Sequence, residues 1–458
     1  MKSSASRLLK RSALAAAIAG ISAPASASFF ALAEQNGSGL GTAFAGGAAI
    51  AEDASTVWYN PAGMTRFDRP QLVVAASYID LNIKTELNSA SNVLGQPIGG
   101  GAGKNPGQNA VVPSLYYVHP LSKDFAVGGG INAPFGLTTE YDSTWAGRYH
   151  AVKSDIKTIN FNLGGAYKIN EVWSAGAGVN YQKLKAELSQ AVDFATLCTI
   201  SAGGAFSPAC GAGAGFTQPA TPNDGSAKVT ADSNAWGYNL GLLAQLPNDF
   251  RVGVAYRSKM HHSLSGNFDI NTPASAATFA NAAGLVNSGA TADITLPSSF
   301  SISAYQQIDK WALMADITKT NWSSLQELRI KFDSTQPNSV VTLNLKDSWR
   351  YSVGATYKLS DAWTLRGGFA LDQTPVTSAA DTTPRLPDAD RTWYAIGAGW
   401  QMSRSLAFDF GYVLIKVDDA QVRKVATPTN ENVSRGNLSV DYSGSTIQVI
   451  SAQARYTF

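Results

Sequence analysis

The sequence predicts an all-β fold: a closed antiparallel barrel of about fourteen membrane-spanning strands, with an N-terminal hatch of short helices plugging its lumen. Three observations lead there. Only 15% of the 458 residues are charged, against roughly 25% in soluble proteins. Apolar and mixed faces alternate with period two through the C-terminal two-thirds. Connections alternate between short and long, as in outer-membrane barrels. The formal net charge of +2 excludes a strong nucleic-acid footprint, which needs clustered excess Lys and Arg.

The N-terminus carries a targeting pattern. Lys2, Arg7, Lys10 and Arg11 form a basic head, Ser12–Ala23 is a short apolar run, Pro24 breaks it, and Ala25-Ser26-Ala27 fits a cleavage site. Residues 1–27 therefore read as a secretory signal, with a short helix as the plain alternative. The mature chain would begin at Ser28, exported in a Gram-negative-type cell. Beyond the signal no apolar run exceeds about eight residues, whereas a membrane helix needs about twenty. A soluble exported protein or a membrane barrel remains.

Residues 28–67 lack strand alternation. Gly37-Ser38-Gly39-Leu40-Gly41 leads into an apolar run to Ala51. Asp53 is placed to cap a helix over Ala54–Tyr59. Asn60-Pro61 fits a second helical start, with Asn60 as cap. Such a compact segment ahead of a barrel at 68–458 reads as a plug, and a plugged barrel is not an open pore.

Strands are expected at roughly 71–86, 110–119, 125–137, 154–168, 172–188, 227–246, 250–270, 291–307, 311–332, 340–359, 362–374, 390–402, 405–420 and 437–458. In the last, Ile450, Ala452, Ala454, Tyr456 and Phe458 share one face, and Val449, Ser451, Gln453, Arg455 and Thr457 the other. Short turns such as Asn170-Glu171 and Asp309-Lys310 alternate with longer loops, about 87–108, 138–153, 189–226, 271–290, 333–339, 375–389 and 421–436. Tyr116, Tyr117, Trp173, Trp311, Trp363, Trp393, Trp400 and Tyr456 lie near strand ends, as in interfacial girdles. A soluble β-solenoid or sandwich would carry more outward charge and must cover its edges. Inward Arg251, Arg257, Arg366, Asp409 and Arg455 suit a luminal polar network. His261 and His262 are adjacent, so on a strand they face opposite sides and make a poor metal pair.

Several motifs carry a resemblance. Ser38-Gly39-Leu40-Gly41, Ala45-Gly46-Gly47, Ala51-Glu52-Asp53-Ala54 and Asn60-Pro61-Ala62 resemble the hatch of the FadL/TodX-like long-chain fatty-acid (hydrophobic compound) outer-membrane transporter family. Pro134–Tyr141, Asn162–Tyr167, Gln326-Glu327-Leu328 and Leu386–Arg391 are similar to that family too, and Tyr456-Thr457-Phe458 resembles the usual barrel-assembly ending. The resemblance implies a hatch inside a fourteen-stranded barrel. It also implies a groove between two long outer loops, an inner pocket touching the hatch N-terminus (Phe29, Phe30), and sideways exit through a kink in the third strand. It implies a monomer of the cell outer membrane, assembled by the barrel-assembly machinery. Its partners would be a hydrophobic small molecule and outer-membrane lipid, with no cofactor and no reaction.

The parts are present in the sequence. The third strand holds Gly128, Gly129, Gly130, Ile131, Asn132, Ala133, Pro134, Phe135 and Gly136. Pro removes a ladder donor and Gly removes packing. By residues alone, a lateral gate and an ordinary bulge are equally good readings; the resemblance favours the gate. Phe194 and Leu197 in one long loop, with Phe279 and Leu285 in another, are candidates for the outer groove or for loop packing alone. Cys198 and Cys210 are the only cysteines, and an oxidising compartment favours a disulfide; free thiols and a metal site are the alternatives. The two basic positions associated with an acid headgroup in this family fall near Gln190 and Val341, neither basic; Lys183, Lys185 and Lys346 are candidate substitutes. A charged acid in an apolar pocket needs a cation or a proton. Long-chain fatty acids are therefore the first expectation and neutral aromatic or aliphatic hydrocarbons the second. An outer-membrane lipase and an aqueous porin are the competing classes.

Overall fold

The computed structural model describes residues 29–201 and 224–458. The signal segment and Cys210 lie outside them.

Fourteen antiparallel barrel strands close on themselves. Nine are continuous: β1 (Gln71–Asn82), β3 (Ala110–Pro120), β6 (Lys153–Lys168), β7 (Trp173–Val192), β8 (Gly225–Leu246), β17 (Trp363–Asp372), β18 (Arg391–Gln401), β19 (Leu406–Val417) and β22 (Thr446–Thr457). Five are interrupted: β4 (Phe125–Asn132) with β5 (Gly136–Glu140), β9 (Phe250–Arg257) with β10 (Met260–Asn271), and β11 (Ser288–Leu296) with β12 (Ser299–Ile308). The others are β13 (Trp311–Thr320) with β14 (Glu327–Phe332), and β15 (Ser339–Thr342) with β16 (Ser348–Lys358). The first and last strands pair from Gln71↔Thr457 to Asn82↔Thr446, which leaves no free edge.

Alternation sets the two faces. On β7, Tyr181, Lys183 and Lys185 point outward while Asn180, Gln182 and Leu184 are buried within. Leu163, Trp236, Ile396 and Ile450 are well exposed, as a lipid-facing wall requires. Trp173, Trp311, Trp363 and Tyr456 lie outward beside the short turns. Tyr116 and Trp393, expected in the girdles, are instead buried inside: Tyr116 Oη donates to the Gln35 carbonyl (3.2 Å), and Trp393 stacks under Arg350. Both stand on the luminal parity of their strands.

Residues 437–442 do not continue the last barrel strand. As β21 (Asn437–Tyr442) they pair with β2 (Thr85–Ser91) and β20 (Ala420–Lys424) in a separate three-stranded sheet made from two outer connections. The expected loops near 87–108 and 421–436 are thus partly sheet.

The hatch packs inside. It has three single-turn helices, α1 (Gly37–Leu40), α2 (Gly47–Ile50) and α3 (Thr56–Tyr59), then a 3-10 turn over Pro61–Arg66. Asn60 caps that turn as expected, accepting from Ala62 N (3.0 Å) and donating to the carbonyls of Ala48 (2.6 Å) and Leu242 (3.1 Å). Asp53 makes the expected cap bond at the start of the turns over Ala54–Tyr59, and it also ties the hatch to the wall. Its carboxylate accepts from Ser55 N (2.9 Å), Ser38 Oγ (2.6 Å) and Gln453 Nε2 of the wall (2.8 Å).

The hatch reaches the wall because the wall is glycine there. A Cβ on Gly253 would stand 1.8 Å from the Ala48 oxygen, and one on Gly176 2.4 Å from Ala62 N. The five inward charges of the wall all contact the hatch or its anchors. Arg251 donates to the Ile50 carbonyl, Arg257 to Trp58, and Arg455 to Glu52. Arg366 bridges Glu52 and Asp409. The luminal network is therefore what fastens the hatch.

Candidate functional site: a side window and an aromatic pocket

Gly128, Gly129 and Gly130 lie in the regular part of the third strand, paired to Tyr116–Val118 on one side and Asn162–Gly164 on the other. A Cβ on Gly128 would press on Met64 and Val57 of the hatch, and one on Gly130 on Tyr116. These glycines make room for luminal groups; they do not form the break. Asn132 ends the paired stretch. Its Oδ1 accepts from Asn160, which continues a ladder of side chains through Asn180, Asn162 and Asn239.

The break is Ala133-Pro134-Phe135. Asn132 pairs with Asn160 and Gly136 with Lys157, so three residues of this strand oppose two of β6. This is a one-residue bulge. Phe135 is held to β6 by Thr158, which donates to the Phe135 carbonyl and accepts from its N–H (3.0 Å). On the other side the strand parts from β3. Pairing ends at Leu115↔Ile131 and resumes only at a bridge between Gly107 and Thr139. Residues 110–114 keep their β1 partners but have none toward β4 or β5. Pro113 and Pro134 supply no amide hydrogen at the two edges. The result is a window in the barrel side.

The hatch N-terminus fills its inner edge. Leu32 N donates to the Pro134 carbonyl (2.8 Å) and Gly136 N to the Phe30 carbonyl (3.1 Å). Phe29 and Phe30 are buried against Phe135 and Trp322, with ring centroids 5.0–6.2 Å apart. A cavity of about 440 Å³ runs along these residues. Its walls include Phe29, Phe30, Phe135 and Trp393 inside, and Val111, Ile131 and Ile159, which face lipid. That volume falls in the ordinary range for small-molecule sites. Its charged lining within the barrel is Glu34, Asp372, Asp388 and Arg391; Arg391 Nη2 donates to Asp388 (2.7 Å) and to the Phe29 carbonyl (2.9 Å).

The outer loops meet as expected in part. Helix α4 (Phe194–Ser201) and helix α5 (Ala277–Ala282) bring Phe194, Phe279 and Leu285 into one cluster with Ala276 and Ala280. Phe194 is fully enclosed there and packs the loops on each other, whereas Leu197 stands half-buried outside the cluster. Cys198 is disulfide-bonded.

Lys183 and Lys185 are exposed on the outward parity of β7, and Lys346 is exposed in the break between β15 and β16. Gln190 is nonetheless met by a cation. Arg385 enters from the 375–389 loop and donates to Gln190 Oε1 (2.9 Å), Ser154 Oγ (3.2 Å) and the carbonyls of Lys153 and Ser189. Burial, then nearby Arg435, push its guanidinium down to about 9. Trp322 and Arg385 were not singled out from the sequence. Trp322 sits in Asn321-Trp322-Ser323-Ser324, whose polar residues break alternation and mark the interruption.

The family model described as outer membrane protein transport protein (OMPP1/FadL/TodX) matches residues 18–458. The chain belongs to this family. It is 34% identical to the 47 kDa outer membrane protein of Pasteurella multocida, over 94% of this chain and 97% of the relative. It is 33% identical to the long-chain fatty acid transport protein of Escherichia coli strain K12, over 88% and 91%. Among solved structures, a Pseudomonas aeruginosa FadL homologue superposes with a TM-score of 0.85 at 27% identity, covering 94% of this chain and all of that one. The Pseudomonas putida toluene transporter TodX shares the fold, with a TM-score of 0.64 at 15% identity over 92% and 98%. Like the rest of the family, the chain is an outer-membrane β-barrel for transport of hydrophobic compounds.

One pH effect arises in the outer loops of this family member. His150 is buried with its Nε2 3.1 Å from the Gly436 carbonyl, and burial, then Arg435, hold it down to about 3. It is neutral in the packed loops and titrates near 6.5 when they open. Its contribution is therefore full above about 6.5 and falls as pH drops toward 3, by about 2 kcal/mol at pH 5. Limited proteolysis of the outer loops should be faster at pH 5 than at pH 8, and His150→Leu should remove that difference.

Proposed function

We propose that this chain carries long-chain fatty acids inward across the outer membrane by passive diffusion, releasing them sideways through the window between β3 and the β4–β5 strand. The observation that carries this reading is a single cavity whose walls run from Phe29 and Phe30 in the lumen to lipid-facing Val111 and Ile131. An apolar ligand that moves from such a cavity into lipid keeps its burial free energy; release into periplasmic water would forfeit it. Fatty acids come first because relatives at 33–34% identity are named as long-chain fatty acid transport proteins. Arg385 beside Gln190 supports an acid headgroup in the outer half. We place the protein as a monomer delivered by the barrel-assembly machinery, without a cofactor and without catalysis.

Uptake of neutral hydrocarbons is the second reading. It is favoured by the cavity lining, where Glu34, Asp372 and Asp388 outnumber Arg391. Competitive uptake of labelled oleate and toluene, in a deletion strain carrying this chain, separates the two. Saturable oleate uptake not reduced by toluene is the expected result; toluene uptake alone overturns the assignment.

A further inference from the structure

A second cavity lies deeper, behind the first residues of the hatch. It measures about 170 Å³ and shares Ala31, Leu32, Ala33 and Phe135 with the window cavity, so those residues form the partition. Its character is different: Arg257, Arg350, Asp316, Asn239 and Trp58 line it. Asp316 is occupied, accepting from Ser303 Oγ and from Thr318 Oγ1 (2.8 Å).

Arg257 stands out. Its guanidinium lies over the Trp58 ring, 3.1 Å from the centroid, and Nη2 donates to the Trp58 carbonyl. Nη1 is enclosed and has no hydrogen-bond partner. Among the described residues no carboxylate lies within ion-pair distance of it. Across the same cavity Arg350 is already engaged: its Nε lies 4.0 Å from the Asp372 carboxylate and its Nη2 donates to the Ala43 carbonyl (2.8 Å). An enclosed cation without an anion is costly, and a bound anion that takes the free donor removes that cost. The Trp58 ring and carbonyl fix the guanidinium plane, and Nη1 is the nitrogen whose donors remain unused.

Resting on the fatty-acid reading above, we propose that Arg257 is the carboxylate-binding residue of an inner subsite for an acyl-chain ligand. The space suits a carboxylate and the first few methylenes, with the rest of the chain crossing the Ala31–Ala33 partition toward the aromatic pocket. Arg350, paired with Asp372, leaves Arg257 as the unpaired cation of this cavity among the described residues.

The test compares binding of oleate and oleyl alcohol to the detergent-purified full chain, with Arg257→Met and Arg257→Lys. Folding is checked by heat-modifiable migration. Arg257→Met should weaken oleate at least about tenfold, as expected on losing a charge-assisted hydrogen bond. Oleyl alcohol should be unchanged, and Arg257→Lys should recover part of the loss. Equal oleate binding by folded Arg257→Met overturns the subsite while leaving the transport reading intact. Failure of the unaltered protein to bind either ligand overturns both. A measurement on the unaltered protein guards against a misfolded variant. The 13C resonance of carboxyl-labelled oleate, once bound, should stay in its ionised position at a pH where the free acid is protonated. A bound carboxyl that titrates like the free acid overturns the proposal.

Discussion

Deleting Pro134 should abolish most uptake while leaving a folded barrel in the membrane. Removing one of the three residues that oppose two on β6 gives a single register from Asn132↔Asn160 through Gly136↔Lys157. It also removes the carbonyl that receives Leu32 N, so the hatch terminus loses its seat at the window. With the bulge gone, the strand is free to lie alongside residues 110–114 of β3. Three new ladder bonds at about 1 kcal/mol each would lower passage by roughly a hundredfold. The opposing cost is the lone Gly107–Thr139 bridge, which must shift by one residue. Labelled oleate uptake, set against the amount of heat-modifiable barrel in the outer membrane, reads the effect. Uptake equal to the parent protein would show that ligand leaves by another route. Valine at Gly128 is a poorer test of the window, because it would strike Met64 and Val57 and disturb the hatch instead.

Asp53→Ala should turn a silent barrel into a conducting one. Asp53 is buried and joins three parts of the structure: Ser38 near the hatch start, Ser55 near its middle, and Gln453 of the wall. Gln453 in turn holds Gly37 N (2.9 Å) and Asp409 (3.1 Å). Removing one partner from a buried charged network costs about 3–5 kcal/mol. That cost falls on the fastening between hatch and wall, while the barrel ladder is untouched. Planar bilayers should therefore show ion-conducting openings for Asp53→Ala and almost none for the parent. Asp53→Asn, which keeps the shape and some of the bonds, should lie between. Quiet bilayers with Asp53→Ala, at unchanged thermal stability, would mean that other contacts alone keep the plug in place.

The strands were legible because period two is a local signal. Leu406–Leu414 and Trp363–Leu371 need no distant partner to reveal their faces. The same parity could have excluded Lys183 and Lys185 from the lumen, since Leu184 between them is plainly an inward residue. Asn60-Pro61 was readable because cap and first-turn chemistry sit side by side. Asp53 was readable as the cap that bonds Ser55 N, but its ties to Ser38 and Gln453 were not, because only closure brings those residues near. Arg385 and Trp322 share that difficulty: one meets Gln190 across a loop, the other meets Phe29 across the lumen. Residues 437–442 alternate properly, yet alternation does not say which sheet a strand joins.

That outer sheet has a mechanical consequence. Above the β1–β22 seam, β2 and β21 pair again from Thr85↔Tyr442 to Ser91↔Asn437. Contacts between the two ends of a long chain are the slowest to form and the dearest in loop entropy. Here the seam that completes last also gains a clasp outside the bilayer. Opening the cylinder at this join must then unzip two ladders in series, one within the bilayer and one beyond it.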